Sequence, residues 1–340
     1  MATMKDVADK AGVSLSTVSY VLSGLRPISE PTRVLILKAM DELNFHPNAV
    51  ARALASKRTR VIALLLSPQE RGLGLSELNF VKGASEAARA LDHHLVLLTE
   101  GMESEADLVY LKRQGLVDGV ILMEVHLMDP RVPLLQSIGL PFSLLGRPDP
   151  ALNLPFVDID FDKTIQLVFE ELAGLGHRAI GFVNQGRETY DSGYGPVVRA
   201  QEAVEKWSAS LGLSVKTAFS RPTPRDGWTA CQDLVSQFGM TALVVMNDRA
   251  LPGVLQALAA LGLKVPQDLS VVSVVTSAAA AEMMMPALTS ADAPSQELAR
   301  LAVANLVKMI ESPQEGLKSV LIPCQLTIRA STGPVSRTRA

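Results

Sequence analysis

Apolar residues follow two regimes along this 340-residue chain. From Val61 onward, unbroken apolar runs alternate with amphipathic stretches. The runs Val61–Leu66, Leu95–Thr99, Gly119–Met123, Phe142–Leu145, Ala179–Val183, Ala242–Met246 and Ser270–Val274 read as strands. Between them, Leu78–Leu91, Glu103–Gln114, Thr164–Leu175, Val197–Leu211, Gly227–Phe238 and Pro252–Leu261 carry apolar positions at helical spacing. Continuous apolar strands separated by helices of this length predict parallel sheets covered on both faces, an α/β body.

Residues 3–58 obey a different rule. Thr3, with Asp6 three positions on, makes a capping-box pattern; Met4, Val7, Ala8 and Ala11 share a face, and Gly12 ends the turn. Ser14 caps a second helix over Leu15–Leu22, closed by Gly24. Two capped helices joined by a turn containing Gly are the helix-turn-helix unit, whose second helix lies in the DNA major groove. Ser29, Glu30 and Pro31 open a third helix, whose Val34, Leu37, Met40 and Leu43 are expected to cover the first two. The Ala-rich basic segment Ala49–Arg58 is too short to persist as a lone helix and is expected to fold against a partner. The fold class is therefore an all-α head on an α/β body.

The residues Lys5-Asp6-Val7-Ala8, Ala11-Gly12-Val13-Ser14, Thr17-Val18-Ser19, Leu43-Asn44-Phe45-x-Pro47-Asn48 and Ala53-Leu54, at these spacings, resemble the lactose-repressor (LacI/GalR-type) family of bacterial transcription regulators. The resemblance implies a sensor made of two doubly wound parallel-sheet subdomains, similar to type I periplasmic sugar-binding proteins, clamping a small molecule between them. It implies crossovers near Asp160–Asp162, Ser290–Asp292 and Leu321–Pro323. The organisation it implies is a head over 1–47, a hinge helix and linker over 48–60, one subdomain over 61–161 plus 291–322, a second over 162–290 plus 323–332, and a flexible tail over 333–340.

Composition sharpens this picture. Residues 1–60 hold nine Lys/Arg against five acids, a net of +4, while the whole chain is −3. A basic head on an acidic body is the footprint of a nucleic-acid-binding module fused to something that avoids DNA. The two cysteines, Cys231 and Cys324, have no paired spacing, and no apolar run reaches the roughly 18 residues of a membrane span. A bacterial cytoplasmic, nucleoid-associated protein is expected.

By resemblance, Leu15, Ser16 and Tyr20 read base edges. Tyr20 stands where relatives often carry Arg, which predicts contacts to thymine or cytosine edges rather than to guanine. Ser14 and Thr17 hold phosphates, and Thr3, Arg26 and Asn48 complete the contact set. Two copies of the hinge pair in the minor groove of a near-palindrome, Leu54 wedges into the central base step, and Arg52, Lys57 and Arg58 neutralise phosphates. A homodimer is implied; the polar Ser331–Ala340 has no apolar heptads to support a tail-mediated tetramer.

In the body, Asn247-Asp248 matches the family's Asn-Asp pair, so Asn247 either faces ligand or caps the next helix. Trp228 matches an aromatic position that stacks on a sugar ring, or else packs in the core. Other customary ligand groups are missing: Val275, Pro196 and Ala293 stand where relatives have Asp, Arg and Gln. Unpaired buried sugar hydroxyls cost roughly 1–3 kcal/mol each, so replacements are sought among residues at strand and helix ends. Glu124, Arg147, Asp160, Tyr194, Arg199 and Thr276 are the candidates, with Arg187 in the loop between Tyr194 and its preceding strand. If Arg147 and Arg199 both face the cleft, a ligand with a carboxylate or phosphate is attractive, since Arg grips such groups bidentately.

The resulting expectation is an effector-responsive repressor on operator DNA, sensing a sugar or sugar-acid-like molecule that either releases the protein or loads it. The alternative is an activator or architectural regulator with an unresponsive sensor. An enzyme finds little support. Gly72-Leu73-Gly74 has Glu77 where a third Gly belongs, and His46, His93, His94, His126 and His177 show no triad or metal spacing. Neither catalytic residues nor metal or cofactor ligands are expected.

Overall fold

The computed structural model describes residues 2–23, 26–45, 58–66, 74–99, 104–312, 316–317 and 319–335. The head contains α1 (Met4–Ala11), α2 (Leu15–Ser23) and α3 (Glu30–Glu42). Helix α1 starts on a reciprocal cap: the Asp6 amide donates to Thr3 Oγ1 at 3.3 Å, and the Thr3 amide donates to Asp6 Oδ2 at 2.8 Å. It stops at Gly12, whose φ of 64° suits a residue without Cβ. Ser14 Oγ accepts the Thr17 amide at 3.1 Å and opens α2.

Val7, Ala8, Val18, Ile36 and Ala39 form the buried centre of the head, with Val21, Met40 and Leu43 packed around it. Helix α3 departs from expectation, because Val34 and Leu37 are 54% and 47% exposed and Ile36 and Ala39 are buried instead. A strict three-residue spacing slips by about 60° per step around an α-helix. Positions 34, 37, 40 and 43 therefore drift off one face, whereas 36, 39, 40 and 43 stay on it.

The body opens with β1 (Val61–Leu65), α4 (Leu75–Ala90), β2 (His94–Leu98), α5 (Glu105–Gln114), β3 (Gly119–Met123), α6 (Arg131–Ile138), β4 (Phe142–Leu145) and β5 (Val157–Ile159). A second lobe follows: α7 (Phe161–Gly174), β6 (Ala179–Gln185), α8 (Arg187–Asp191), α9 (Gly195–Leu211), β7 (Ser214–Ser220), α10 (Pro224–Gln237), β8 (Ala242–Val245), α11 (Leu251–Ala260), β9 (Ser270–Val274), α12 (Ala278–Glu282) and β10 (Thr289–Asp292). Helix α13 (Ser295–Glu311) returns to pack on α4, then β11 (Val320–Ile322) joins the first sheet and β12 (Gln325–Thr327) the second. The sheet orders are β11-β5-β4-β3-β1-β2 and β12-β10-β9-β8-β6-β7. All pairings are parallel except β10 with β12. The chain thus passes between lobes at Asp160, at residues 293–294 and at residues 323–324.

The point where the head's linker enters the body is tightly held. Asp118 accepts the Thr59 amide at 2.8 Å, the Thr59 hydroxyl at 2.9 Å and the Arg60 amide at 2.8 Å. Arg58 donates from Nη2 to the Ile310 carbonyl at 3.1 Å and lies 3.9 Å from the Glu311 carboxylate at the end of α13. A cation there also meets the negative end of the helix dipole.

Candidate DNA-reading face and interlobe cleft

Helix α2 turns Val18 fully inward and leaves Leu15 (49% exposed) and Ser16 outward, with Tyr20 half-exposed beside them. The Arg26 guanidinium lies over the Tyr20 ring, 5.1 Å from its centroid, a cation–π contact that anchors a flexible cation on an aromatic platform. Ser14 and Thr17 share a 2.7 Å hydroxyl contact, so both polar groups sit together at the start of α2 beside its amide end. Thr3 is exposed, with its hydroxyl engaged on Asp6. Asn48, Arg52, Leu54 and Lys57 lie outside the described residues.

A cavity of about 110 Å³ lies between the lobes, where the carboxyl ends of β3, β4, β6, β8 and β9 face the start of α4 and of α9. Of the candidates read from sequence, Glu124, Tyr194 and Asn247 line it. Asn247 borders the cavity, while its Nδ2 donates to Ser220 O at 2.8 Å and its Oδ1 accepts the Ala250 amide at 3.2 Å, the capping role weighed for it. Asp160 is the N-cap of α7, accepting the Lys163 amide at 2.9 Å. Trp228 is partly buried against the core of the second lobe, the packing alternative. Thr276 is fully buried, and its Oγ1 has no hydrogen-bond partner. Arg147 and Arg199 do not line the cavity, although both act on the lining carboxylate Asp158.

Several lining groups were not among the candidates read from sequence: Glu77, Asp158, Gln185 and Arg249, with Asp248 named there only as part of the Asn-Asp pair. Asp158 was detectable in principle as a carboxylate inside the apolar stretch Val157–Ile159. Burial pushes its pKa up to about 6, against the pull of Arg199 and Arg147 and of the Ile159 and Arg147 amides. Glu124 and Val275 both take left-handed backbone, φ 55° and 59°, at strand ends on the cavity. That conformation is strained for a β-branched residue, and such strain concentrates at ligand clamps.

The two lobes meet across the cleft through specific bonds. Ser76 Oγ donates to Val275 O at 3.3 Å, and Arg249 lies 3.6 Å from Glu77. The Leu127 amide donates to Gly193 O at 2.8 Å and the Gly195 amide to Val125 O at 3.1 Å. A Cβ at Gly195 would come within 2.4 Å of Arg199 Nη1 and 2.9 Å of Val125 O, so only glycine permits this approach. The loop supplying Val125 and Leu127 is fixed by a buried pair. Arg131 Nε donates to Asp129 Oδ1 at 2.9 Å, its Nη2 donates to the Met123 and Glu124 carbonyls at 3.2 Å each, and Asp129 Oδ2 accepts the His126 amide at 3.2 Å. Burial alone would raise the Asp129 pKa; the bonds from Arg131 outweigh it and hold the carboxyl below its ordinary value.

Burial pushes both Cys231 and Cys324 up to about 12, which leaves them protonated and unreactive. Among the described residues no cluster of His, Cys, Asp or Glu could hold a metal, and no helix is long and apolar enough to cross a membrane.

A helix-turn-helix head joined to two parallel-sheet lobes with a cavity between them defines a DNA-binding regulator with a ligand-sensing body of the periplasmic-binding type. The sequence profile of bacterial regulatory proteins of the lacI family matches residues 3–48, and that of the periplasmic binding protein-like domain matches residues 169–332. The chain belongs to the lacI family of transcriptional regulators. It is 30% identical over 351 residues to the transcriptional repressor PurR of Yersinia enterocolitica, covering 97% of each chain. It is 29% identical to catabolite control protein A of Streptococcus mutans, over 97% of this chain and 98% of that one. Among solved structures, a complex of the transcriptional regulator CelR with cellobiose superposes with a TM-score of 0.72 at 26% identity, over 97% of this chain and all of that one. The lac repressor dimer bound to operator and an anti-inducer gives 0.78 at 22% identity, over 98% of this chain and 99% of that one, a likeness of fold. These relatives are transcription regulators rather than enzymes.

Proposed function

We propose that this protein is an effector-responsive repressor that binds a near-palindromic operator as a homodimer in the bacterial cytoplasm. The observation that carries the reading is the outward face of α2, where Leu15, Ser16 and Tyr20 stand clear of the core with Arg26 laid on Tyr20. Leu15 and the Tyr20 ring suit thymine methyls, while Arg26 brings to that face a guanidinium that α2 itself lacks. Ser14, Thr17 and the amide end of α2 take phosphates, and Thr3 and Asn48 extend that set. In the proposed division, residues 1–47 are the head, 48–60 the hinge and linker, 61–161 plus 291–322 and 162–290 plus 323–332 the two lobes, and 333–340 a tail.

The hinge is the bistable element. Residues 48–57 fold when two copies meet on DNA, Leu54 entering the minor groove and Arg52 and Lys57 meeting phosphates. A small-molecule effector that changes how the lobes close alters the spacing of the two linker entry points at Asp118, and so whether the hinges can pair. Glu124, Tyr194 and Asn247 are the proposed effector contacts from the cavity wall, and Asp160 and Thr276 its supports at the lobe crossing and behind Val275. The names of PurR as a repressor and of CelR as a cellobiose complex support the reading by analogy.

A second reading, a DNA-binding activator or architectural regulator with an unresponsive sensor, is favoured by Val275, Pro196 and the small cavity, since ligand pockets usually run to about 300–1,000 Å³. Fluorescence anisotropy on the duplex the protein selects separates the two. Under the first reading, some member of a panel of sugars, sugar acids and sugar phosphates shifts DNA affinity by roughly 5- to 150-fold. A flat response across the panel favours the second.

A further inference from the structure

Two guanidinium groups, one from each lobe, come together behind the cavity, Arg199 buried and Arg147 half-buried. Arg199, on the second turn of α9, is 6% exposed. Among the described residues its Nη2 donates to the Pro148 carbonyl of the first lobe at 3.1 Å, and its Nη1 is buried with no acceptor. Arg147, just past β4, stacks on the Phe156 ring with 5.9 Å to the centroid, and its Nε is also buried with no acceptor. The nearby carboxylate, Asp158, does not fill the gap. Its Oδ2 accepts the Arg147 main-chain amide at 3.1 Å and its Oδ1 the Ile159 amide at 2.8 Å, and neither guanidinium hydrogen-bonds to it.

This is an unusual state for arginine. A buried charge is ordinarily paired and its donors satisfied, because the low local dielectric makes each empty donor costly. Two guanidiniums against one carboxylate leave one positive charge over. Asp149 and Glu202, which also act on Arg199, are more exposed, so water screens them. Desolvation and the Arg147 charge together lower the Arg199 pKa, the mark of a cation short of negative partners. A single oxyanion would balance the cluster, and the planar fork of Arg fits a carboxylate or phosphate better than any other acceptor.

We propose that the effector carries a carboxylate or phosphate that bridges Arg147 of the first lobe and Arg199 of the second. The proposal rests on the reading of the lobes as a ligand-sensing pair. The oxyanion lies in the seam next to Gly146, Tyr194 and Pro196, so the rest of the molecule extends into the cavity those residues line. The Pro148 carbonyl, which accepts from Arg199 Nη2 across the same seam, is the contact that such an anion would replace. Exchange of that carbonyl for an anion held by both lobes gives the ligand a differential grip on the closed form, which is what coupling to the hinge requires.

The test is thermal melting of the full chain at constant ionic strength with gluconate, glucose 6-phosphate, inorganic phosphate or glucose, on wild type, Arg199→Gln and Arg147→Gln. The expected result is a rise in the wild-type midpoint with at least one of the three anions, lost in both variants. Because Arg199→Gln removes a buried charge with an unsatisfied donor, its midpoint without anion should match or exceed wild type. If Arg199→Gln fails to fold, Arg147→Gln carries the test alone. No anion-dependent rise in wild type, or a rise that survives in the variants as a general salting effect would, overturns the proposal. Release of DNA by neutral glucose with no response to the anions overturns it too, while leaving the sensor reading intact.

Discussion

Asp158 shows how a single residue sets both the stability and the chemistry of the cleft. Burial lifts its pKa from 3.8 to about 6, a difference worth about 3 kcal/mol against the folded state when the group is charged. Because the folded value is raised, the protein binds this proton more tightly than the unfolded chain does. The cost is present in full above pH 6 and fades as pH falls from about 6 towards 4. Asp158→Asn should therefore stabilise the protein at pH 7.5 by up to about 3 kcal/mol, and by little near pH 4, as read from urea unfolding at the two pH values. His177 works in the opposite sense. Burial holds its imidazole below the ordinary value, against the pull of the Gly333 carbonyl, so its stabilising contribution is complete above pH 6.5 and declines as pH falls below it. On the head, Arg26 carries a sharper expectation. If its guanidinium, propped on Tyr20, reads a base, Arg26→Ala costs about 1–3 kcal/mol and relaxes one base-pair position. An equal loss on every duplex would assign Arg26 to phosphate instead.

At the scale of elements, two features position the sites. The first is the linker anchor, where one carboxylate at the start of β3 takes three donors from Thr59 and Arg60. Asp118→Ala removes the acceptor of three part-buried donors, a cost towards the lower end of about 1–3 kcal/mol in stability. It should also weaken transmission, so that DNA affinity responds less to effector than in wild type in anisotropy titrations. The second is the strap of Val125–Leu127 against Gly193–Gly195. Gly195→Val should force the lobes apart there and change effector response while leaving the head folded, as read by circular dichroism and DNA binding.

The legibility of these elements from sequence varied for physical reasons. Long central strands such as Gly119–Met123 and Ser270–Val274 announce themselves, because both faces are buried and every position is apolar or small. The strands β5, β10, β11 and β12 have three or four residues, and β7 lies at a sheet edge with half-exposed side chains, so none leaves an apolar run. In the head, the caps at Thr3 and Ser14 were plain in the local sequence, but the buried stripe of α3 depended on helical phase, which three exposed apolar residues, Val34, Leu35 and Leu37, obscured. Site residues divide likewise. Glu124, Tyr194 and Asn247 sit at element ends where ligands are expected, whereas Glu77, Asp158 and Arg249 reach the cavity only through the mutual placement of two lobes, which no local pattern encodes.

The whole molecule couples a net charge of +4 in residues 1–60 to an acidic body in a chain of net −3. Such a distribution steers the head towards DNA and keeps the lobes off it. Binding should weaken steeply with salt, and Arg52→Ala or Lys57→Ala should each reduce the slope of log K against log salt by about 1. The most direct test of the account is selection of bound duplexes from a random library by the purified protein, repeated with Leu54→Ala. The account predicts a palindrome of roughly two helical turns, enriched strongly by wild type and weakly by the variant. No enriched sequence in any condition of the ligand panel, or enrichment indifferent to Leu54, would contradict it.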